Sequence, residues 1–443
     1  MKLSSTGKLV LVLVSIPVVL FLLVVLYYQF DEDLRPEVVE ILNYQPEKIL
    51  ANENAYYTLL ALFADKDAAL DEKGLQIVTA AEKRYASFEE LSIVSITDIE
   101  GAEVIKLNID EASLCGSDAR PDCLEDILNR KAFYRKILQE NDLIIGRLRH
   151  LYHYQYFQES PAVVIVPKLK TVHRLLLADI GLKWINGKHQ AAVLVLRHDL
   201  EFWRHVSSSD ISLITRMIAE SAIDDDLHIL SEFVSDCSNC INDKLIEKQL
   251  LRPITSSEMD MTRVFGFEYR TMYHDILKLI AQSKKESLGQ AIQYDLFFKQ
   301  NSVFNKMYTM YDQTIKLSKC EIDNYANCYA AYMNEAKKDI DFSSAEFLKD
   351  PVGEVIYYLA KPTYHNYVWR SYRKELLRRL IYVKFLLHKN NVSENDLQGY
   401  LNGLPKNLKN PVMHQAIEWE GEMRRLKMTM PENMEIEPVS IDY

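Results

Sequence analysis

Residues Leu9 to Tyr28 form an unbroken run of twenty residues without a charge. Few structures are open to such a run. At about 1.5 Å of rise per residue, twenty helical residues reach across the ~30 Å hydrocarbon core of a bilayer, where a helix satisfies its backbone polar groups internally. Lys2 and Lys8 precede the run, and Asp31, Glu32 and Asp33 follow it. The positive-inside rule then keeps residues 1–8 in the cytoplasm and carries everything after residue 28 across. Tyr27 and Tyr28 suit the far interface, and Pro17 is tolerated mid-span if neighbouring groups satisfy the freed carbonyl. A cleaved signal peptide is the rival reading. Its apolar region runs only ~7–15 residues, however, and no small-x-small cleavage site follows here. The expectation is an uncleaved, single-pass anchor over residues 9–28.

The remainder is longer than one hydrophobic core usually serves, so two or three packed subdomains are expected. Gly and Pro number only 13 each in 443 residues, against typical shares of ~7% and ~5%. Sheet-rich folds need many Gly and Pro turns, so this scarcity predicts long helices. The formal net charge of −11 becomes −13 once Lys2 and Lys8 are set aside with the anchor. That acidity argues against nucleic-acid binding and against adhesion to anionic lipid. Arg370, Arg373, Lys374, Arg378 and Arg379 make a local basic cluster, which reads most simply as a solvated helix face.

The six cysteines fall into close pairs: Cys115 with Cys123, Cys237 with Cys240, Cys320 with Cys328. Fifteen connectivities exist, and the spacing favours neighbour with neighbour. Disulfides belong to oxidising compartments, which agrees with export. Each outer bridge would close a polar loop and stabilise by roughly 2.6 kcal/mol in the chain-entropy estimate. Cys237-Ser238-Asn239-Cys240 is also a CxxC. A structural bridge, a redox dithiol and half a metal site all remain open readings, although no second CxxC or His pair accompanies it.

The pattern divides the chain into an N-terminal helical subdomain with a small β patch (29–158), a helical array (159–245), a C-terminal helical subdomain (246–410) and a β-hairpin-like tail (411–443). The β patch spans 92–107 around Gly101. Leu124–Leu138 and Leu143–Phe157 read as a helix pair. In the array, Val163, Val166, Leu169, Val172, Leu176 and Ile180 recur at helical spacing behind Pro161. Gly187 breaks the chain before a helix carrying Leu196, Leu200 and Trp203. Ser209 or Asp210 can cap another, with Ile211, Ile214, Met217 and Ile218 on its core side, and Ala222–Phe233 adds one more. Leu175–Leu200 is similar to one tetratricopeptide-type hairpin, with Gly187 and Ala192 in its turn and second-helix places and Trp184 and Leu196 near its large packing positions. No 34-residue period sustains it, and an ordinary hairpin with a Gly turn explains it equally well. Further on, Tyr364–His388 reads as a long helix, Ala416–Met428 as a hairpin turning at Gly421, and Pro431–Tyr443 as an extended tail. The expected fold is mainly α: an N-terminal transmembrane helix followed by an α-helical array, partly of tetratricopeptide-like hairpins, with minor β elements.

Chemical signatures are sparse. No P-loop, dinucleotide fingerprint, GxSxG elbow or HExxH is present. His198, Glu201 and His205 would share a helical face, but a solvated polar face explains them. His150 and His153, three apart among aromatics, read as a helix contact. Asp224, Asp225 and Asp226 lack the alternating ligands and glycine of a calcium loop and read as a helix start. No catalytic residue, cofactor or metal is therefore assigned. Phe265, Phe267, Tyr269 and Tyr273, or Tyr357, Tyr358, Tyr364 and Tyr367, could equally line a groove or fill amphipathic helices. The candidate binding residues are Trp184, Trp203, Asn301 and Asn305.

Three stretches carry a resemblance: Asn54-Ala55-Tyr56-Tyr57, Phe298 through Lys306 (FKQNSVFNK), and Asp350-Pro351-Val352-Gly353. Together they resemble a family of uncharacterised, membrane-anchored, mostly helical periplasmic proteins of Gram-negative bacteria. The resemblance implies an inner-membrane anchor and a periplasmic helical domain, and it brings no activity. The leading functional expectation is a non-enzymatic scaffold that binds a protein or peptide at the membrane surface. A hydrolase-like enzyme whose site only the fold assembles, or a thiol redox protein, are the alternatives. A compact cleft with convergent acids or histidines would favour the enzyme, and an open concave helical face the binder.

Overall fold

The computed structural model describes residues 15–19, 30–86, 94–95, 99, 102, 104–107, 109–116, 122–164, 168–287, 289, 294, 298–336, 350, 354–355, 357, 364–434 and 436–443. Of the expected anchor, residues 15–19 are helical and the rest lies outside the described residues. Among the described residues no helix is long and apolar enough to cross a membrane. Asp350 followed by Pro351 predicts the start of a short helix to Leu359, which also lies mostly outside the described residues.

Helices dominate what is described. In chain order they include α1 (Pro36–Asn43), α2 (Ala55–Leu60), α3 (Leu70–Ala86), α4 (Cys123–Asn129), α5 (Lys131–Glu140), α6 (Asp142–His150), α7 (Lys168–Ile185), α8 (His189–Ser207), α9 (Leu213–Cys237), α10 (Thr262–Glu286), α11 (Gln300–Ser318), α12 (Tyr325–Ala336), α13 (His365–Lys389) and α14 (Leu397–Asn402). They fall into two compact units, each discontinuous in sequence. The first comprises Met1–Gln45, Tyr269–Gln313 and Asn334–Thr363, and the second the remainder, so the boundaries fall inside α10, α11 and α12.

In the first unit, residues 30–35 are fastened to the start of α11. Asn301 Nδ2 donates to Glu32 O at 2.7 Å, and Asn305 Nδ2 donates to Asp33 O at 2.9 Å. Arg35 N donates to Asn305 Oδ1 at 2.9 Å, and Lys299 Nζ to Phe30 O at 3.0 Å. Both candidate asparagines are thus engaged by the chain's own segment.

The second unit is built around α7, which is packed by α4, α5, α6, α8 and α9. It buries residues on nearly every face, including Thr171, His173 and Arg174. A helix enclosed in this way must pair its polar side chains, and Arg174 does so with Glu111 at 2.6 Å. Gly187, at φ 75°, turns the chain from α7 into α8; only glycine adopts that backbone without strain. The tetratricopeptide likeness stops at this one turn, since the helices from α7 to α9 run 18, 19 and 25 residues. Helix α9 in turn packs on α13.

Several local expectations are corrected. Helix α7 starts at Lys168, not Pro161. Val163–Val164 (β2) pairs in parallel with Val94–Ser95 (β1), because a β-branched run fits a pleated surface better than a helix. Ser212, not Ser209 or Asp210, caps α9, its Oγ accepting from Thr215 N at 3.2 Å. Helix α9 then runs unbroken through Ala222, so Asp224–Asp226 sit in its interior and start nothing. The hairpin forms, as Glu418–Glu420 (β3) against Arg425–Met428 (β4), with Trp419 opposite Leu426. The tail is more than extended: Val439–Asp442 (β5) adds a third antiparallel strand, Ile441 opposite Leu426, and this sheet packs on α13.

Most of the basic cluster on α13 is not a solvated face, although Arg370 is exposed. Lys374 and Arg378 are buried, and Lys374 pairs with Glu220, Arg373 with Asp224, and Arg378 and Arg379 with Glu375. Phe265, Phe267 and Tyr269 are buried as packing residues. All three neighbour disulfides are present, with Cα separations of 4.7, 5.3 and 6.5 Å in chain order.

Candidate functional site

Three apolar helix faces of the second unit each contain one polar residue. On α7, His173 interrupts Leu169, Val172, Leu176 and Ile180. On α8, Asp199 interrupts Leu196, Leu200 and Trp203. On α9, Asp226 interrupts Ile223, Leu227 and Leu230. Because α7, α8 and α9 pack on one another, these residues meet. They are 2, 0 and 1% exposed, respectively. His173 Nε2 lies 2.8 Å from Asp199 Oδ2 and 3.3 Å from Asp226 Oδ1. One ligating atom from each residue can be chosen so that all lie within 4.8 Å of one another.

The surroundings fix two members and leave the third unsatisfied. The Tyr152 hydroxyl, from the turn after α6, donates to Asp199 Oδ1 at 2.9 Å. Trp203, one turn beyond Asp199, sets its ring edge-on to His173 at 5.9 Å. An imidazole nitrogen carries at most one hydrogen, and Nε2 is already matched to Asp199. Neither oxygen of Asp226 has a hydrogen-bond partner, and neither has His173 Nδ1. Asp225 Oδ2 stands 3.8 Å from that Nδ1, at ion-pair distance. Burial opposes charge on His173, but Asp199 and the neighbouring aspartates hold its pKa well above the usual histidine value. Burial, followed by the charge of Asp199, pushes the Asp226 carboxyl well above the usual carboxylate range.

His173 and Asp225 open onto a pocket of about 340 Å³. Its wall is a stripe of α9: Ile214, Met217, Ile218, Ser221, Ala222 and Asp225, spaced as one helical face. Ile214 was expected in the core but is 48% exposed here, and Met217 and Ile218 are partly exposed. Lys170 and Arg370 contribute cationic walls. Of the candidate binding residues, Trp203 lies in this site and also lines the pocket.

Trp184 lies elsewhere. It stacks on Phe233 at 4.0 Å and donates from Nε1 to Asp236 at 2.8 Å, beside a broader cleft of about 880 Å³. Two ionisable groups of that cleft, half-buried Glu232 and buried Lys384, are already engaged. Glu232, pushed up to about 7 by burial, accepts the N–H groups of Cys123 and Leu124. Lys384, lowered to about 8 by burial, donates to Ser231 Oγ and Asp442 O. The His173 pocket is therefore the better site candidate, since its polar groups are left with bonding capacity.

His198, Glu201 and His205 sit on α8 but form no metal-binding group; among the described residues the His173 cluster alone qualifies. Cys237 and Cys240 are bridged in the turn closing α9, so a helix, not a strand, precedes the CxxC. That is not the setting of a thioredoxin-like dithiol. The sequence reading missed His173, Asp199 and Asp226, although a polar residue inside an apolar stripe was visible on each helix.

Compared with known proteins, the chain matches no family model, no curated protein and no solved structure.

Proposed function

We propose that this chain is a membrane-anchored, exported enzyme that activates water at the His173 cluster to hydrolyse a small substrate whose apolar part fills the pocket. The observation that carries the reading is a buried imidazole, held through Nε2 by Asp199, that opens with Asp225 onto an apolar pocket. A compact cleft with convergent acids and a histidine is the arrangement expected of an enzyme, not of an open scaffold. Three local disulfides suit an oxidising compartment, and the uncharged run at 9–28 and the family resemblance suit an anchor in the inner membrane with the bulk of the chain periplasmic.

The test is turnover of a panel of chromogenic carboxylic and phosphoric esters with short apolar chains, using the full-length protein in detergent. His173→Gln is expected to lower kcat about 10²–10⁴-fold, the usual worth of a positioned general acid or base. Ile214→Trp is expected to raise KM by narrowing the pocket. If no ester class is turned over, or if His173→Gln matches the parent, the reading fails. The non-enzymatic binder keeps one observation in its favour, the broad cleft beside Trp184. Saturable peptide binding lost in Trp184→Ala but untouched by His173→Gln would favour that reading.

A further inference from the structure

The geometry points to a divalent transition-metal ion held by His173 Nε2, Asp199 Oδ2 and Asp226 Oδ1. The inference names the cofactor of the water-activating site and, for its use in hydrolysis, rests on that reading. The ion site itself stands on its donors.

The first argument is distance. Ligand atoms around a zinc-sized ion, bonded at about 2.0–2.2 Å, stand roughly 3.0–3.4 Å from one another. The contact of His173 Nε2 with Asp226 Oδ1, at 3.3 Å, lies at that spacing, and the one with Asp199 Oδ2, at 2.8 Å, is a hydrogen bond that an ion would replace by moving the two atoms a few tenths of an ångström apart. The second argument is hydrogen bonding. Asp226 is 1% exposed and neither of its carboxylate oxygens accepts a hydrogen bond. Its polar contact is the 3.3 Å ion pair with His173 Nε2, and a buried carboxylate without hydrogen bonds is costly unless a cation binds it. The third argument is charge. Three carboxylates, Asp199, Asp225 and Asp226, surround one imidazole. Even an imidazolium leaves them in excess by two charges, and a dication on the neutral ring reduces that excess to one.

The surroundings supply what a metal site needs beyond its ligands. Tyr152 donates to Asp199 Oδ1, leaving Oδ2 for the ion. Asp225 faces Nδ1, the ring nitrogen an ion on Nε2 would leave protonated. A carboxylate on the far nitrogen of a ligating histidine is a recurrent means of fixing its tautomer and raising its basicity. Trp203 supplies an apolar wall. Of the three ligands His173 lines the pocket, with Asp199 and Asp226 buried behind it; three protein ligands leave a tetrahedral ion one further position, which a water molecule could take and the ion would acidify. One nitrogen and two carboxylate oxygens suit zinc or manganese better than calcium, which takes oxygen ligands only.

The experiment is calorimetric titration of the chelator-treated, full-length protein in detergent with zinc chloride and, separately, manganese chloride. Cobalt(II) loading provides an absorption readout of coordination that does not depend on activity. One equivalent is expected to bind in the micromolar range or tighter. Asp226→Asn, nearly isosteric, is expected to weaken binding by at least about 100-fold, and His173→Gln similarly, while His414→Gln on an exposed turn changes nothing. If a variant unfolds, anomalous diffraction at the zinc edge from the loaded parent protein locates the ion directly. No heat and no cobalt spectrum, or an ion located elsewhere, overturns the inference. Ester turnover that persists in chelator overturns the metal and leaves the hydrolytic reading standing. A bound ion with no turnover does the reverse.

Discussion

Glu220 on α9 is the carboxylate on which a buried charge network depends, and its removal gives a graded test of the packing between α9 and α13. The residue is 3% exposed. It accepts from Arg216 Nε at 2.7 Å and from Ser371 Oγ at 2.5 Å, and pairs with Lys374 Nζ at 3.1 Å. Burial alone would raise its carboxyl, but Lys374 and Arg216 hold it below the usual range. Glu220→Ala leaves two buried cations. Arg216 keeps acceptors in Glu258 O and Ser207 O, whereas Lys374 loses its one carboxylate contact within ion-pair distance among the described residues. Breaking a buried pair from one side costs about 3–5 kcal/mol, which should appear as a lower urea midpoint by circular dichroism. Adding Lys374→Met to Glu220→Ala should recover about 1–3 kcal/mol, the usual coupling of neighbours. The pH dependence gives a second check. Burial already lowers the Lys374 ammonium, and loss of Glu220 lowers it further. A base whose folded pKa is depressed makes the unfolded state bind more protons, so stability rises with pH. The slope in Glu220→Ala should approach about 1.4 kcal/mol per pH unit up to the unfolded lysine value. A loss below about 1 kcal/mol, or a double variant no better than Glu220→Ala alone, would refute this account of the network.

Two further outcomes follow from packing and burial. Gly74→Ala on α3 would place a Cβ 1.9 Å from the carbonyl oxygen of Tyr57 on α2; despite alanine's better helix propensity, it should cost about 1–3 kcal/mol by urea unfolding, and a neutral result would contradict that close approach. Burial pushes the Glu159 carboxyl up to about 7, so the folded state holds its proton longer than the unfolded state. Its contribution is therefore complete below about pH 4.5 and lost as pH rises through about 7, up to roughly 3 kcal/mol. Relative to Glu159→Gln, the parent should lose stability between about pH 4.5 and 7, and a pH-independent difference would refute the shift.

The sequence made the helical content, the cysteine pairing and the C-terminal hairpin legible, because each follows from local chemistry: few Gly and Pro, short Cys spacing, a Gly-marked turn between alternating strands. It misled where tertiary context decides. Val163–Val164 carries apolar residues at helical spacing, yet a partner strand 69 residues earlier in the chain takes it. Residues Arg373 to Arg379 look like a solvated basic face until α9 supplies Glu220 and Asp224. The His173 cluster was legible only in part. Each of its residues is a polar interruption of an apolar stripe, but that three such interruptions meet is a property of how α7, α8 and α9 pack. His198, Glu201 and His205 drew the eye because they share a helical face. The neighbouring face, with Asp199 and Trp203, holds the buried chemistry.

Every bridge joins a cysteine to the next one along the chain, at sequence separations of 8, 3 and 8. In an exported chain the cysteines emerge in that order, so each meets its proper partner before the next pair arrives. Closing a loop of about ten residues takes ~10–100 ns, against synthesis at ~5–20 residues per second. Encounter between partners therefore never limits maturation; the supply of oxidant does. A chain with interleaved bridges depends on a disulfide isomerase to correct early mistakes. Exported as proposed, this one would oxidise vectorially, with a yield set by the oxidase and indifferent to the isomerase.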